Sequence, residues 1–213
     1  MQTTEPTIEI DKPRLFTLGA AIVVNAYGLL LVAPLFASIL VVSVIPFGFM
    51  TLLIPVLVVA ASAVFLPFGL GNTHITRLVR SQNPAANPSG DGFIVQLTLS
   101  PRLRSGLQAT LEDADDIGYL SFSATGLVFQ GDSVKLSVPL DRIGLVRPHN
   151  VGLRGRFVYG RRIKVVVTGL PNVEFIEFAE RSSWLLPNSR AITKRLFQRL
   201  STKAAPSPAQ GVG

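Results

Sequence analysis

The stretch LFTLGAAIVVNAYGLLLVAPLFASILVVSVIPFGFMTLLIPVLVVAASAVFLPFGLGNTHIT, Leu15 to Thr76, contains no Asp, Glu, Lys or Arg. A helix or strand that faces water needs a polar face, and none of useful width exists here. A membrane-crossing helix takes about 20 apolar residues. The run therefore predicts a hairpin of two transmembrane helices, near 16–43 and 48–70, with the turn at Pro46 and Gly48. Pro34 and Pro55 predict kinks that a neighbouring helix accommodates, and Asn25 is placed to bond across to the partner helix. No ionisable residue lies mid-span, so nothing marks an ion or proton path.

Outward from this run, residues 1–14 read as a polar tail. Its Glu5, Glu9 and Asp11 make a poor leader for a signal peptide. Lys12 and Arg14 precede the run, Arg77 and Arg80 follow it, and the turn between spans is uncharged. Positive charge stays on the cytoplasmic side, so both termini are expected there. The expectation is an integral membrane protein of the bacterial inner-membrane type. It comprises a tail (1–14), a transmembrane hairpin (15–76), a linker (77–92), a cytoplasmic domain (93–203) and a disordered tail (204–213). A wedge that enters and leaves one leaflet is the alternative to a crossing.

The 213 residues carry a formal charge of +7, and of the basic residues only Lys12 and Arg14 stand before Leu15. The C-terminal part is thus strongly basic, which favours anionic partners. There is no cysteine, which excludes disulfides, thiolate metal sites and a cysteine nucleophile.

From Phe93 onward the chain turns to short alternating runs. Phe93 to Leu99, Tyr119 to Ser123, Leu127 to Gln130, Val134 to Val138, Ile143 to Arg147, Phe157 to Tyr159, Ile163 to Thr168 and Val173 to Phe178 read as strands. Ile192, Leu196, Phe197 and Leu200 then fall on one face of a helix, with Asn188 as its N-cap. A mainly-β barrel of about seven strands closed by one C-terminal helix is expected. Within it, residues 118–146, GYLSFSATGLVFQGDSVKLSVPLDRIGLV, set Gly118, Leu120, Leu127, Phe129, Pro139 and Ile143 in a strand–hairpin–strand pattern. This pattern, with the terminal helix, resembles the pleckstrin-homology (PH) superfold and its GRAM-like branch. The resemblance implies a binding module for lipids or proteins, without catalysis and without fixed ligand residues.

The basic run from Arg142 to Lys164 carries the candidate site: Arg147, Arg154, Arg156, Phe157, Tyr159, Arg161, Arg162 and Lys164, with no acidic residue between Asp141 and Lys164. Arginine forks match phosphate geometry. The expectation is a basic hairpin that touches the bilayer, an anionic lipid headgroup or a protein partner. The plain alternative is a solvated strand edge that charge protects from pairing. Nucleic acid is set aside because no RNA-binding motif accompanies the charges.

Catalysis finds no support. Glu112 to Gly118 resembles a calcium loop only briefly, because Ala124 stands where the loop's glutamate belongs. It reads as a solvated acidic turn. His74 and His149 have no second ligand at metal spacing, and neither a G-x-S-x-G elbow nor a phosphate loop is present. Trp184 reads as a core plug. No enzyme activity, cofactor or metal is expected. The function expected is a membrane-anchored binding or scaffold module, with an accessory subunit of a larger membrane complex as the alternative.

Overall fold

Alternation of apolar and polar side chains builds the sheet. In β5 (Val134–Pro139), Val134, Leu136 and Val138 are buried while Lys135 and Ser137 face water. The computed structural model describes residues 5–26, 69–83, 92–106, 112–149 and 161–204. It also describes positions 33, 36–37, 40, 53, 56–57, 59–61 and 109. The remaining strands are β1 (Thr7–Ile10), β2 (Phe93–Ser100), β3 (Asp116–Phe122), β4 (Gly126–Gly131), β6 (Ile143–His149), β7 (Arg162–Val167) and β8 (Phe175–Glu180). All pair antiparallel in the order β1-β5-β4-β3-β2-β8-β7-β6, as a curled half-barrel.

This corrects the expected seven-strand barrel. Among the described residues eight strands are present and the sheet ends at two edges, β1 and β6. The additional strand comes from the supposed polar tail. Thr7, Ile8, Glu9 and Ile10 alternate and pair with β5, and Ile8 packs on the core.

Strand β2 joins the two halves, paired with β3 on one side and β8 on the other. Its two faces serve two cores. Val95, Leu97 and Leu99 meet Phe129, Phe178 and Ile176, covered by Leu196 and Leu200 of helix α2 (Leu186–Lys203). Each such side chain, fully buried, contributes about 1.5–3 kcal/mol. On the other face Ile94 and Ile117 pack with Phe16, Val24, Ile75 and Val79. Phe16 and Val24 come from the N-terminal segment, which is helical over 18–26, and Ile75 and Val79 from helix α1 (Gly69–Gln82). The two helices approach closely, since a Cβ on Gly71 would lie 2.9 Å from Val24 Cγ1.

That second core overturns the transmembrane reading. The apolar run begins and ends as helices that pack on the sheet. Among the described residues no helix is long and apolar enough to cross a membrane. The two-span hairpin, the integral-membrane placement and the orientation of the termini drawn from it are not supported. Asn25, expected to reach a partner helix, donates from Nδ2 to the Ala21 carbonyl at 2.8 Å. The turn at Pro46, the prolines at 34 and 55, most of the linker (84–91) and residues 205–213 lie outside the described residues.

One turn clamps the N-terminal segment. Asp132 Oδ2, between β4 and β5, accepts the backbone N–H groups of Arg14, Leu15 and Phe16, each at 2.8 Å. Asn83, just past α1, donates from Nδ2 to Gln130 Oε1 at 2.7 Å.

Where β3 crosses β4, a Cβ on Gly118 would lie 2.2 Å from the Gln130 carbonyl oxygen and 2.5 Å from Gly131 Cα. Both neighbours are backbone and cannot swing aside. Gly118→Ala is expected to cost about 1–3 kcal/mol, read as a lower urea midpoint. Gly19→Ala, whose Cβ meets nothing nearer than 3.7 Å, serves as the control and changes stability by less than about 1 kcal/mol.

Candidate functional site

The register of four strands gathers the charged residues on one face. His149 stands opposite Arg162, and Arg147 opposite Lys164. Lys164 in turn stands opposite Glu177, and Glu177 opposite Thr98. Residues directly opposite share a face, so Arg147, His149, Arg162, Lys164, Glu177, Gln96 and Thr98 project together. Their strand neighbours Val95, Leu97, Ile163, Val165, Ile176 and Phe178 project into the first core.

Much of this charge is neutralised within the chain. Arg162 is buried and bridges two carboxylates, donating from Nη1 to Glu177 Oε2 at 3.1 Å and contacting Asp113 Oδ2 through Nη2. His149 Nδ1 meets the second oxygen of Glu177. Thr98 Oγ1 holds the Asp113 carbonyl at 2.9 Å. Lys164 Nζ lies 3.2 Å from the centroid of the Phe175 ring, a cation–π contact.

Deeper along the same face lies Arg181, only 2 % exposed. Its Nε donates to Asn72 Oδ1 at 2.8 Å, and its Nη1 to Gln96 Oε1 at 2.6 Å and Glu112 Oε1 at 3.4 Å. Asn72 Nδ2 completes the lock by donating to the Ser183 carbonyl at 2.6 Å. The guanidinium therefore ties α1, β2 and the 112–115 segment to the end of β8. Asp115, also buried, accepts the N–H groups of Leu99, Leu103 and Arg104 at 2.7–3.1 Å. The acidic turn expected in water is thus inside the protein.

Of the basic residues named from the sequence, Arg147 and Arg161 are exposed at the β6–β7 edge, Lys164 is half-buried, and Arg162 is enclosed by its carboxylates. Arg161 has a φ of 120°, a region that side chains rarely adopt. Arg154, Arg156, Phe157 and Tyr159 lie outside the described residues. Sequence reading missed Glu177, Asp113, Glu112 and Arg181. The signal for Glu177 was present: a charge inside the strand FIEFAE needs a partner when both faces are covered. Among the described residues no cluster of metal-ligating side chains occurs.

Another buried carboxylate, Asp116, lies beneath the β4–β5 turn. Asp116 Oδ2 accepts the N–H groups of Ser133 and Val134 at 2.8 and 2.6 Å. Burial pushes its pKa up from 3.8 to about 6, against the pull of those bonds, and Asp132 nearby adds to the rise. Arg104, whose guanidinium lies 4.3 Å from the Phe16 ring centroid, is lowered by burial despite the surrounding carboxylates.

Arg181→Met leaves Glu112 buried without its cation. It is expected to lower stability by about 3–5 kcal/mol, and adding Glu112→Gln to recover part of that loss; urea unfolding measures both. Asp116 binds its proton more tightly folded than unfolded, so its contribution is present below about pH 4 and is lost as pH rises to about 6. That loss amounts to about 2–3 kcal/mol. Asp116→Asn is expected to flatten stability across pH 4–6 relative to the natural protein, as followed by thermal melts at stepped pH.

Comparison of the chain with protein-family models, curated proteins and solved structures finds no match.

Proposed function

We propose that the protein is a non-catalytic binding module whose basic β6–β7 edge engages an anionic partner, with acidic lipid headgroups as the first candidate. The observation that carries this reading is the exposure of Arg147 and Arg161 at a sheet edge with no acidic residue on β6. Lys164 adds a half-exposed cation beside them. Arg162, by contrast, spends its charge on Glu177 and Asp113 and serves the edge as a strut. Near an anionic surface each free basic residue contributes about 1 kcal/mol. The likeness to the PH superfold belongs to this proposal. Its support is the run of antiparallel strands β2–β8 followed by a terminal helix.

The same edge does not invite strand addition. Pro148 has no N–H to offer a new strand, and Arg147 blunts the edge by charge. Recognition through side chains is therefore favoured over recognition through backbone.

Reversing charge separates an anion site from a merely protected edge, because Glu protects an edge as well as Arg does. Arg147→Glu/Arg161→Glu is expected to keep its unfolding midpoint within a few degrees. It should lose tenfold or more of its affinity for phosphatidylserine vesicles in co-sedimentation, about 1.4 kcal/mol. Equal binding of the natural protein to neutral and acidic vesicles would sink the headgroup reading.

A further inference from the structure

One carboxylate grips the N-terminal segment, and another sits directly beneath it. Asp132 Oδ2 accepts the N–H groups of Arg14, Leu15 and Phe16, and Asp132 Oδ1 accepts Gln82 Nε2 at the end of α1. The turn that carries Asp132 is held from below by Asp116, whose Oδ2 accepts the N–H groups of Ser133 and Val134. The fit is close, since a Cβ on Gly131 would collide with Asp116 Oδ2. We propose that this pair is a proton-operated latch, which docks residues 14–26 on the sheet when Asp116 carries a proton and loosens them when it does not.

Charge balance gives the latch its sense. Arg104 is the cation of the cluster. Its guanidinium lies 4.3 Å from the Phe16 ring centroid, and Asp116 attracts it more than Asp115, Asp132 or Glu112 does. Asp115 is engaged with the N–H groups of Leu99, Leu103 and Arg104, and Glu112 with Arg181. With Asp116 protonated, Arg104 and Asp132 balance one to one. With Asp116 ionised, two carboxylates share that cation in a place largely shut off from water, and they repel. Asp116 Oδ1 is buried and takes no hydrogen bond among the described residues, so half of the ionised group stays unsolvated.

The strain has one easy outlet. Asp116 is fully buried and fixed by β3, whereas Asp132 is part-exposed on a turn. Swinging the Asp132 carboxylate into water relieves the repulsion and frees the N–H groups of 14–16. Water can replace it there, because Arg14 is exposed and Leu15 only half-buried. Other charges keep clear of the pair. Asp11, Lys12 and Arg14 on the N-terminal segment, Arg77 and Arg80 on α1 and Lys135 on β5 are exposed, and Arg102 turns to Asp115. His74 stands about two turns before Gln82 on α1, and Tyr119 of β3 packs on the second core. Residues 15–73 and 105–111 contain no Asp, Glu, Lys, Arg or His.

Burial and Asp132 raise Asp116 to about 6, above its ordinary 3.8. Docking is therefore favoured at low pH and weakens as pH rises through about 6. Release uncovers Ile94 and Ile117, on which Phe16 and Val24 pack, so the latch decides whether this apolar surface meets water. No residue of the β6–β7 edge takes part, and the inference stands apart from the headgroup reading.

Amide hydrogen exchange of the full chain, corrected for the intrinsic rate at each pH, reads the latch directly. The N–H groups of Leu15 and Phe16 are expected to be protected at least tenfold less than those of β7 and β8, with little dependence on low urea, the marks of local opening. Their protection should fall about tenfold between pH 5 and pH 7.5, the ratio given by a docked value of about 6 and a released value near 3.8. Asp116→Asn should abolish that fall, and Asp132→Ala should strip the protection at both pH values. Opening of 14–16 only in step with β7 and β8 as urea is raised would overturn the proposal. So would protection of 14–16 that ignores pH, a pH step that survives in Asp116→Asn, or unchanged protection in Asp132→Ala.

Discussion

A buried guanidinium cannot be left without partners, and Arg181 is the point at which this fold meets that demand. Taking its charge out of water costs several kcal/mol unless every donor finds an acceptor. The acceptors come from Asn72, Gln96 and Glu112, which stand on a helix, a strand and a connecting segment far apart in the chain. The half-barrel, the docking of α1 and the course of the 112–115 segment are therefore set together. Moving any one of them strands a charge in the interior. The same lock holds the Ser183 carbonyl and so ties down the segment that carries Trp184.

The charged face of the sheet follows a related logic. A strand covered on both sides carries Glu177 only because Arg162 and His149 meet it. Internal pairing divides the basic run into two kinds of residue. Arg162 is consumed by structure, whereas Arg147 and Arg161 keep their charge in water. The division matters for function, because a cation already shared between two carboxylates has little left for a ligand.

Much of the sheet is legible in the amino-acid sequence. The runs at 93–99, 127–130, 134–138 and 163–168 coincide with β2, β4, β5 and β7 to within a residue or two, because alternation over a half-buried strand is a local signal. The helix of Leu196 and Leu200 was legible for the same reason, although it starts at Leu186 with no side-chain cap, ahead of the expected Asn188. Three readings failed where burial depends on distant partners. Glu112, Asp115 and Asp116 look like a solvated turn in sequence but are buried. Trp184 looks like core but lies half in water. Phe16 and Val24 look like the start of a membrane span but pack on Ile94 and Ile117. The charge-free run supplies apolar surface, and apolar surface alone does not say whether lipid or a sheet covers it.

Local pattern and composition settle the short-range features: strand positions, the amphipathic terminal helix, the excess of basic charge and the absence of thiol chemistry. Each depends on a period of two or 3.6 residues, or on composition, and is complete within a few turns of chain. Which charges are paired inside and which face solvent, and what the ends of the apolar run pack against, emerge from long-range packing alone. Those outcomes depend on the mutual desolvation of groups such as Asn72, Gln96, Glu112 and Arg181, whose meeting no local pattern encodes.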